Sequence, residues 1–542
     1  MSTKPKNTMQ AVRLPLFLGL TLVMGIFIGF KLNSNKTQNN PAGNYLRYME
    51  VLNYINNDYV DTVNVDELVD YSIVQMLEKL DPHTVYIGKK DVELANSQLQ
   101  GDFEGIGVEF NIIKDTIVVV APISGGPSEQ VGIQAGDRIV KVNGEVVAGT
   151  GVTTQDVFRY LRGKKGTKVT VTVVRRGSAK ELDYIITRDK IPTYSVDAWY
   201  MLDAQTGYIK VSRFSQTTYT EFKKALTELK AQGMNRMVLD LKDNPGGYLN
   251  QAVEICDEFL SGNQLIVYTD GKESRYDSRY SASRTGLFES GSLMVLINEG
   301  SASASEIVSG ALQDNDRAII VGRRSFGKGL VQLPLPLQDG SELRLTISRY
   351  YTPSGRSIQK PYSADAPSDY EDDLSRRYEK GEYFHVDSIR FNDSLKFKTS
   401  KGRTVYGGGG IMPDYFVPRD TSAFTPYLID LFNRNVIREY TLNYYTQNKN
   451  SLKNMSLEAY RKQFVVSAEM KQEIIKLAEK SGVVYKEKEF AKSWPYIETN
   501  VKAFIARGAY GNNGFFSIIN DQDEVLQQAL KLWPEADKIQ AR

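Results

Sequence analysis

The sequence predicts a multidomain chain of α/β and β units: an α/β domain, a small and mostly β module before it, and helical regions at both ends. Three observations lead there. At 542 residues the chain is too long for one hydrophobic core and should hold three or four units. Between Phe103 and Arg188, short β-rich runs ("GIGVEF", "TIVVVAPI", "DRIVKVNG", "KVTVTVVRRG") are divided by glycine turns. From Tyr208 to about Tyr351, strands alternate with helices, as a layered α/β domain requires.

The elements can be justified in order. Leu14 to Phe30 carries no charge, follows Lys4, Lys6 and Arg13, and precedes Lys31 and a polar stretch. At helical rise it would span about 25 Å, slightly short of a bilayer core unless Ala11, Val12 and a snorkelling Arg13 extend it. No small-residue cleavage site follows Phe30, so an uncleaved anchor is expected over a cleaved signal peptide. Residues 1–31 then form a cytoplasmic stub and transmembrane anchor, and 32–44 a linker. By the positive-inside rule the chain would sit in the inner membrane by a single pass, with the rest periplasmic or otherwise extracytoplasmic.

Residues 45–97 read as helical, with Leu52, Ile55, Leu68, Ile73, Met76 and Leu80 in helical period; "LDPHT" at 80–84 ends a helix before proline and makes His83 a turn residue. Residues 98–190 are the β module. Residues 191–420 are the α/β domain, with strands "GYIKVSRF", "MVLDL", "LMVLIN" and "AIIVG" and an insertion over about 360–408. Residues 421–542 are helical and charged, without recognisable chemistry, and are expected to be accessory.

Composition removes several function classes. There are 67 Lys and Arg against 65 Asp and Glu, so no basic excess suggests a nucleic-acid partner. A single cysteine, Cys256, allows no intrachain disulfide and no cysteine-rich zinc site. Two histidines, His83 and His385, leave no H-E-x-x-H metal site and little material for a Ser-His-Asp triad.

The stretch "NEGSASASEIVSGALQ" (298–313) holds serines at 301, 303 and 305. Ser303-Ala-Ser-Glu306 fits a capping box where strand "LMVLINEG" passes into a helix. The same turn would expose a serine Oγ above a sheet, next to the free N–H groups of a first helical turn, which favour developing negative charge. Cap and nucleophile therefore share one location, and only a base would distinguish them.

"GRRSFGKGLVQ" (322–332) is the candidate source. Gly322, Gly327 and Lys328 match the start of a phosphate-binding loop, but Gly329 stands where Ser or Thr should hold magnesium, and "LVQLPLPL" argues against the helix that should follow. Lys328 could equally be a solvated turn residue. As a third option, it serves as general base for a serine, with Gln332 holding the amine through its side-chain oxygen. Positions 328 and 332 would share one strand face, given a bend at Gly329.

Taken together, "GSASASEIVSGALQD", "FGKGLVQ", "DLKDNPGG" (240–247), "TPSGRSIQ" (352–359) and "GIMPD" (410–414) resemble the ordered motif set of the carboxyl-terminal processing, or tail-specific, proteases. The resemblance covers roughly residues 45–420. It implies a crotonase/Clp-like α/β serine protease core with an inserted PDZ domain and a serine endopeptidase activity that uses no metal, nucleotide or other cofactor. It also implies Ser303 as nucleophile, Lys328 as base and Gln332 as the residue orienting the lysine. A neutral Lys328 near pH 7 needs a downward shift of about 3 units from the ordinary value, supplied mostly by burial. The implied oxyanion hole combines a backbone N–H from the Gly246–Gly247 pair, either of which could donate, with that of Ala304.

"GIGVEF" followed by "GGPSEQVGIQAGDRIVKVNGEVV" resembles a PDZ domain of the bacterial protease type. Gly105, Ile106, Gly107 and Val108 would form its carboxylate-binding loop, so the partners implied are proteins or peptides with free, apolar C-termini that add as a strand to the sheet edge. Similar proteases suggest that Arg162 couples tail binding to the active arrangement; a solvated surface charge is the plain alternative. A catalytically inactive PDZ scaffold is the rival function, and the 360–408 insertion and C-terminal region leave a homo-oligomer or an adaptor open.

Overall fold

The computed structural model describes Met24, Gly25 and residues 41–541 apart from 124, 176, 177, 179, 364 and 365. Its residues group into two compact units, 1–75 and 76–542. In the first, helix Pro41–Asp58 is followed by the start of a helix over Val65–Leu77, and the Tyr48 hydroxyl meets Ser72 Oγ at 2.5 Å.

The single-pass anchor and the inner-membrane location drawn from it are corrected. Among the described residues no helix is long and apolar enough to cross a membrane. The reason is composition: a span needs about 20 nearly uncharged residues. The longest helical run among the described residues, Glu487–Ile519, breaks at Gly511, and before the break it carries Glu487, Lys488, Glu489, Lys492, Glu498, Lys502 and Arg507. Helix Pro41–Asp58 carries Arg47, Glu50 and Asp58. Apart from Met24 and Gly25, the Leu14 to Phe30 stretch lies outside the described residues, and the extracytoplasmic placement that rested on it loses its basis.

In the second unit, the α/β domain is built on a six-stranded sheet in the order Val196–Met201, Thr206–Val211, Arg236–Asp240, Ser292–Ile297, Ile319–Gly322, Tyr415–Phe416. Only the first pair is antiparallel. Parallel strands need cover on both faces, which is why Ser292–Ile297 is buried along its whole length. One face packs Ile209, Leu239, Val295 and Ile320 against helices Thr218–Ala231, Leu249–Cys256 and Ala304–Asp314. The alternate residues Tyr208, Val238, Met294 and Leu296 face the other way, onto Val525, Leu526, Ala529 and Trp533. The last two helices of the chain, Glu524–Ala529 and Trp533–Ala541, are thus the second layer of this sheet.

A second sheet carries Val85–Ile87, Leu265–Gly271, Ser278–Ser281 and Leu330–Pro336 around the long strand Glu342–Tyr351. The β module has strands Val108–Ile112, Ile117–Pro122, Arg138–Val142, Lys168–Val174 and Leu182–Thr187 around its own core of Ile117, Val119, Ile139, Val157, Val171 and Ile186. Val108–Ile112 is an edge strand of that sheet, beside helix Thr154–Leu161. The C-terminal region packs helices from Pro426 to Ile519 around a separate core that includes Tyr427, Tyr460, Ile474, Phe490 and Val501.

Candidate active site

Strand Ser292–Ile297 runs in the interior of the sheet, and from its C-terminal end the chain turns through Gly300–Ser303 into helix Ala304–Asp314. Ser303 takes φ 54° and ψ −112°. A non-glycine residue in this region costs about 1–3 kcal/mol and persists only where its surroundings over-determine it. Here they do. Ala302 donates its N–H to the Asn244 carbonyl at 2.9 Å, Phe326 donates to the Ser301 carbonyl at 2.9 Å, and Ser303 donates to Glu306 Oε2 at 2.9 Å. A strained turn from strand to helix resembles a nucleophile elbow in its backbone.

The three serines are not equivalent. Ser301 is fully buried, its Oγ donating to the Leu241 carbonyl at 2.8 Å and accepting the Asn298 N–H at 3.0 Å. Ser305 is fully buried and donates to the Asn244 carbonyl at 2.9 Å. Ser303 alone of residues 301–311 is partly exposed.

Glu306 does more than cap. Its carboxylate is fully buried and takes four hydrogen bonds: Oε1 from Ser325 Oγ at 2.5 Å and Gly327 N–H at 2.7 Å, Oε2 from the N–H groups of Ser303 and Lys328, both at 2.9 Å. Burial pushes its pKa up to about 7 against those bonds. On the other side of the same two residues, the buried Tyr350 hydroxyl shares its proton between the carbonyls of Ser303, at 3.1 Å, and Lys328. The main chains of Ser303 and Lys328 are therefore tied together twice.

Lys328 precedes strand Leu330–Pro336. Burial depresses its pKa from the ordinary lysine value, opposed by the charges of Glu306 and Asp81 and assisted by Arg344. It forms no ion pair among the described residues. His83 is held neutral, pushed down to about 4 by burial and then by the charge of Lys328, and its Nε2 meets the Tyr370 hydroxyl at 2.6 Å. A strand follows "GKG" where a phosphate-binding loop needs a helix, and the N–H groups of Gly327, Lys328 and Gly329 are taken by Glu306 and Gln359. The nucleotide reading fails on that geometry.

Gln332 departs from its expected arrangement. Positions 328 and 332 do not share a strand face, because the strand begins at Leu330 and its register shifts between Val331 and Gln332. Gln332 Nε2 donates to Thr346 Oγ1 at 3.2 Å, and Thr346 Oγ1 donates to Asp81 Oδ1 at 3.0 Å. A cavity of about 570 Å³ opens beside them, lined by Asp81, Thr84, Leu330, Leu345, Thr346 and Tyr362 among others.

The glycine pair touches the serine turn. A Cβ on Gly246 would lie 2.8 Å from both Ser303 Cβ and Ala304 N, and φ +95° also demands glycine there. The Gly246 N–H is spent on Asn244 Oδ1 at 2.9 Å. Those of Gly247 and Ala304 have no acceptor among the described residues.

In the β module, Ile106, Gly107, Val108, Phe110, Val157, Phe158 and Arg162 line a small pocket between the edge strand and helix Thr154–Leu161; Gly105 closes strand Asp102–Gly105 beside it. Arg162 is not a solvated charge. Its guanidinium lies 4.6 Å from the Phe103 ring centre and 4.3 Å from that of Phe158, and Nη1 donates to Ser97 Oγ at 3.2 Å.

Sequence reasoning missed Asp81, Thr346 and Tyr350 and saw in Glu306 only a cap. "LDPHT" gave no signal beyond a turn at a helix end.

Fold and site define a serine-type peptidase that carries a PDZ module. A model of Peptidase family S41 matches residues 205–367, a PDZ domain model matches 118–175, and a family of unknown function matches 427–511. The carboxy-terminal-processing protease of Bartonella bacilliformis is 37% identical over 347 residues, 62% of this chain and 79% of that protein. Carboxy-terminal processing protease CtpB of Bacillus subtilis is 36% identical over 312 residues, 56% of this chain and 64% of that protein. Among solved structures, the photosystem II D1 C-terminal processing protease aligns with a TM-score of 0.34 at 29% identity, over 58% of this chain and 90% of that one. The chain belongs to the carboxy-terminal processing proteases of peptidase family S41.

Proposed function

We propose that this protease cleaves protein chains near their C-termini with Ser303 as nucleophile and Lys328 as general base. The observation that carries the reading is the double tie of Ser303 to Lys328 through Glu306 and Tyr350. Ser303 Oγ attacks the scissile carbonyl while neutral Lys328 takes its proton, and the N–H groups of Gly247 and Ala304 receive the oxyanion. The lysine then returns the proton to the leaving amine, and a water repeats the sequence on the acyl-enzyme. Gln332 keeps the lysine lone pair directed at Ser303 by accepting one of its N–H groups.

We also propose that the pocket between Gly105–Val108 and helix Thr154–Leu161 takes a free, apolar C-terminus, with the tail pairing along edge strand Val108–Ile112. The test is hydrolysis of one peptide ending in a free carboxylate or a carboxamide. Cleavage should depend on Ser303 in both cases and fall sharply for the amide; equal rates would remove tail recognition, and full activity of Ser303→Ala would remove the nucleophile.

A further inference from the structure

Asp81 lies in the "LDPHT" turn, 265 positions before Thr346, yet its carboxylate is the end point of a chain of polar contacts that reaches Gln332. Oδ1 accepts the N–H of His83 at 2.9 Å, the N–H of Thr84 at 3.0 Å and the hydroxyl of Thr346 at 3.0 Å. Oδ2 accepts the Thr84 hydroxyl at 2.5 Å, and Thr84 Oγ1 in turn accepts the Thr346 N–H at 3.1 Å.

The polarity of this chain is forced. A carboxylate only accepts, so the single proton of the Thr346 hydroxyl goes to Asp81. Toward Gln332 that hydroxyl can then only accept, and the group 3.2 Å from it must be the amide N–H. With Nε2 bound there, the amide carbonyl is the end left over. The distinction matters for a lysine base. A carbonyl accepts an amine N–H and leaves the lone pair free, whereas a flipped amide would donate into the lone pair that must take the serine proton.

We propose that Asp81 is a positioning residue for this centre: acting through Thr346, it fixes the Gln332 amide so that its carbonyl, not its N–H₂, is offered to Lys328. The inference rests on the Ser303–Lys328 reading above. Asp81 need not touch substrate to act this way, and its position in a turn that could serve as a simple helix stop explains why the role is not visible from motif spacing.

The test uses the full chain with Asp81→Ala, Thr346→Val, Thr346→Ser and Gln332→Ala, each measured for kcat, KM and pH dependence. Alanine removes the acceptor of the Thr346 proton and frees that hydroxyl to donate to Gln332, which favours the flipped amide. Asp81→Ala and Thr346→Val should each lower kcat by about tenfold or more with KM little changed, and Thr346→Ser should recover most of the loss. The charged or titratable groups around Lys328 include Glu306, Asp81, His83, Arg344 and the Tyr350 hydroxyl on its carbonyl. Removing the Asp81 charge should therefore move the rising limb of the rate to lower pH, while Thr346→Val leaves the limb in place and lowers only the plateau. A general folding defect would not separate the two variants in this way. If Gln332→Ala lowers kcat while Thr346→Val keeps the wild-type value, the inference is overturned; this pair decides the matter even if Asp81→Ala folds poorly. If Gln332→Ala itself keeps the wild-type kcat, the role of Gln332 fails first and the inference falls with it.

Discussion

Ser303 and Lys328 donate their main-chain N–H groups to one and the same atom, Glu306 Oε2, each at 2.9 Å. Serine, lysine and cap are thus one hydrogen-bonded unit rather than three neighbours. A glutamine at 306 could accept with its single oxygen, but its N–H₂ would face donors. Glu306→Gln should lower kcat about 100-fold, as losing an oxyanion donor does, and cost about 1–3 kcal/mol of stability from the unsatisfied N–H groups. Steady-state kinetics and urea unfolding check both; wild-type kcat in Glu306→Gln would show that the shared oxygen is incidental.

The pH dependence follows from two groups. A lysine pKa lowered by burial makes the neutral base available at lower pH than in an ordinary lysine, so kcat/KM rises as pH passes upward through that depressed value. Glu306, pushed up to about 7, must also be ionised, because its protonated form would set an O–H against an N–H. Below pH 7 the logarithm of kcat/KM should therefore fall with a slope greater than one. Lys328→Arg, which stays protonated, should be inactive at every pH tested; an active arginine variant would remove the base.

Backbone strain at Ser303 makes a separate prediction about stability. At φ 54° and ψ −112°, alanine keeps the strain and glycine relieves it. Ser303→Gly should resist urea better than Ser303→Ala by about 1 kcal/mol, although both lack activity. The reverse order would mean that the turn is not strained.

Much of this was legible in the sequence, and the rest was hidden for physical reasons. The α/β alternation, the small β module and the helical ends could be read because period and glycine turns report local structure. The role of the last two helices could not, because Trp533 and Leu526 declare only that they are apolar, not which sheet face they cover. Ser303 and Lys328 stand in short motifs. Asp81, Thr346 and Tyr350 act on them from distant strands and turns, and no spacing rule reaches that far. Gln332 was visible as a residue but not in its orientation, since the register shift at Val331/Gln332 breaks the alternation that face assignment depends on.

Residues expected to be accessory therefore carry fold energy. Trp533 is mostly buried against the sheet, so Trp533→Ala should destabilise by about 3 kcal/mol. A thermal melt of that variant showing no change would mean the C-terminal helices do not hold the sheet.

Coupling between tail and active site has a concrete candidate in Arg162. It donates to Ser97 Oγ, the neighbouring Asn96 accepts from Arg344 at 3.0 Å, and the charge of Arg344 acts on Lys328. Arg162→Ala should lower the ratio of cleavage rates between carboxylate and carboxamide peptides. An unchanged ratio would leave Arg162 a packing residue.

The central claim, a Ser303 nucleophile activated by Lys328, is tested most directly by labelling the full chain with a serine-reactive fluorophosphonate and reading intact mass and adduct site against pH. The account predicts one adduct, on Ser303, forming faster as pH rises and reduced to background in Lys328→Ala. An adduct on another residue, or labelling of Ser303 that is equally fast in Lys328→Ala, would contradict it.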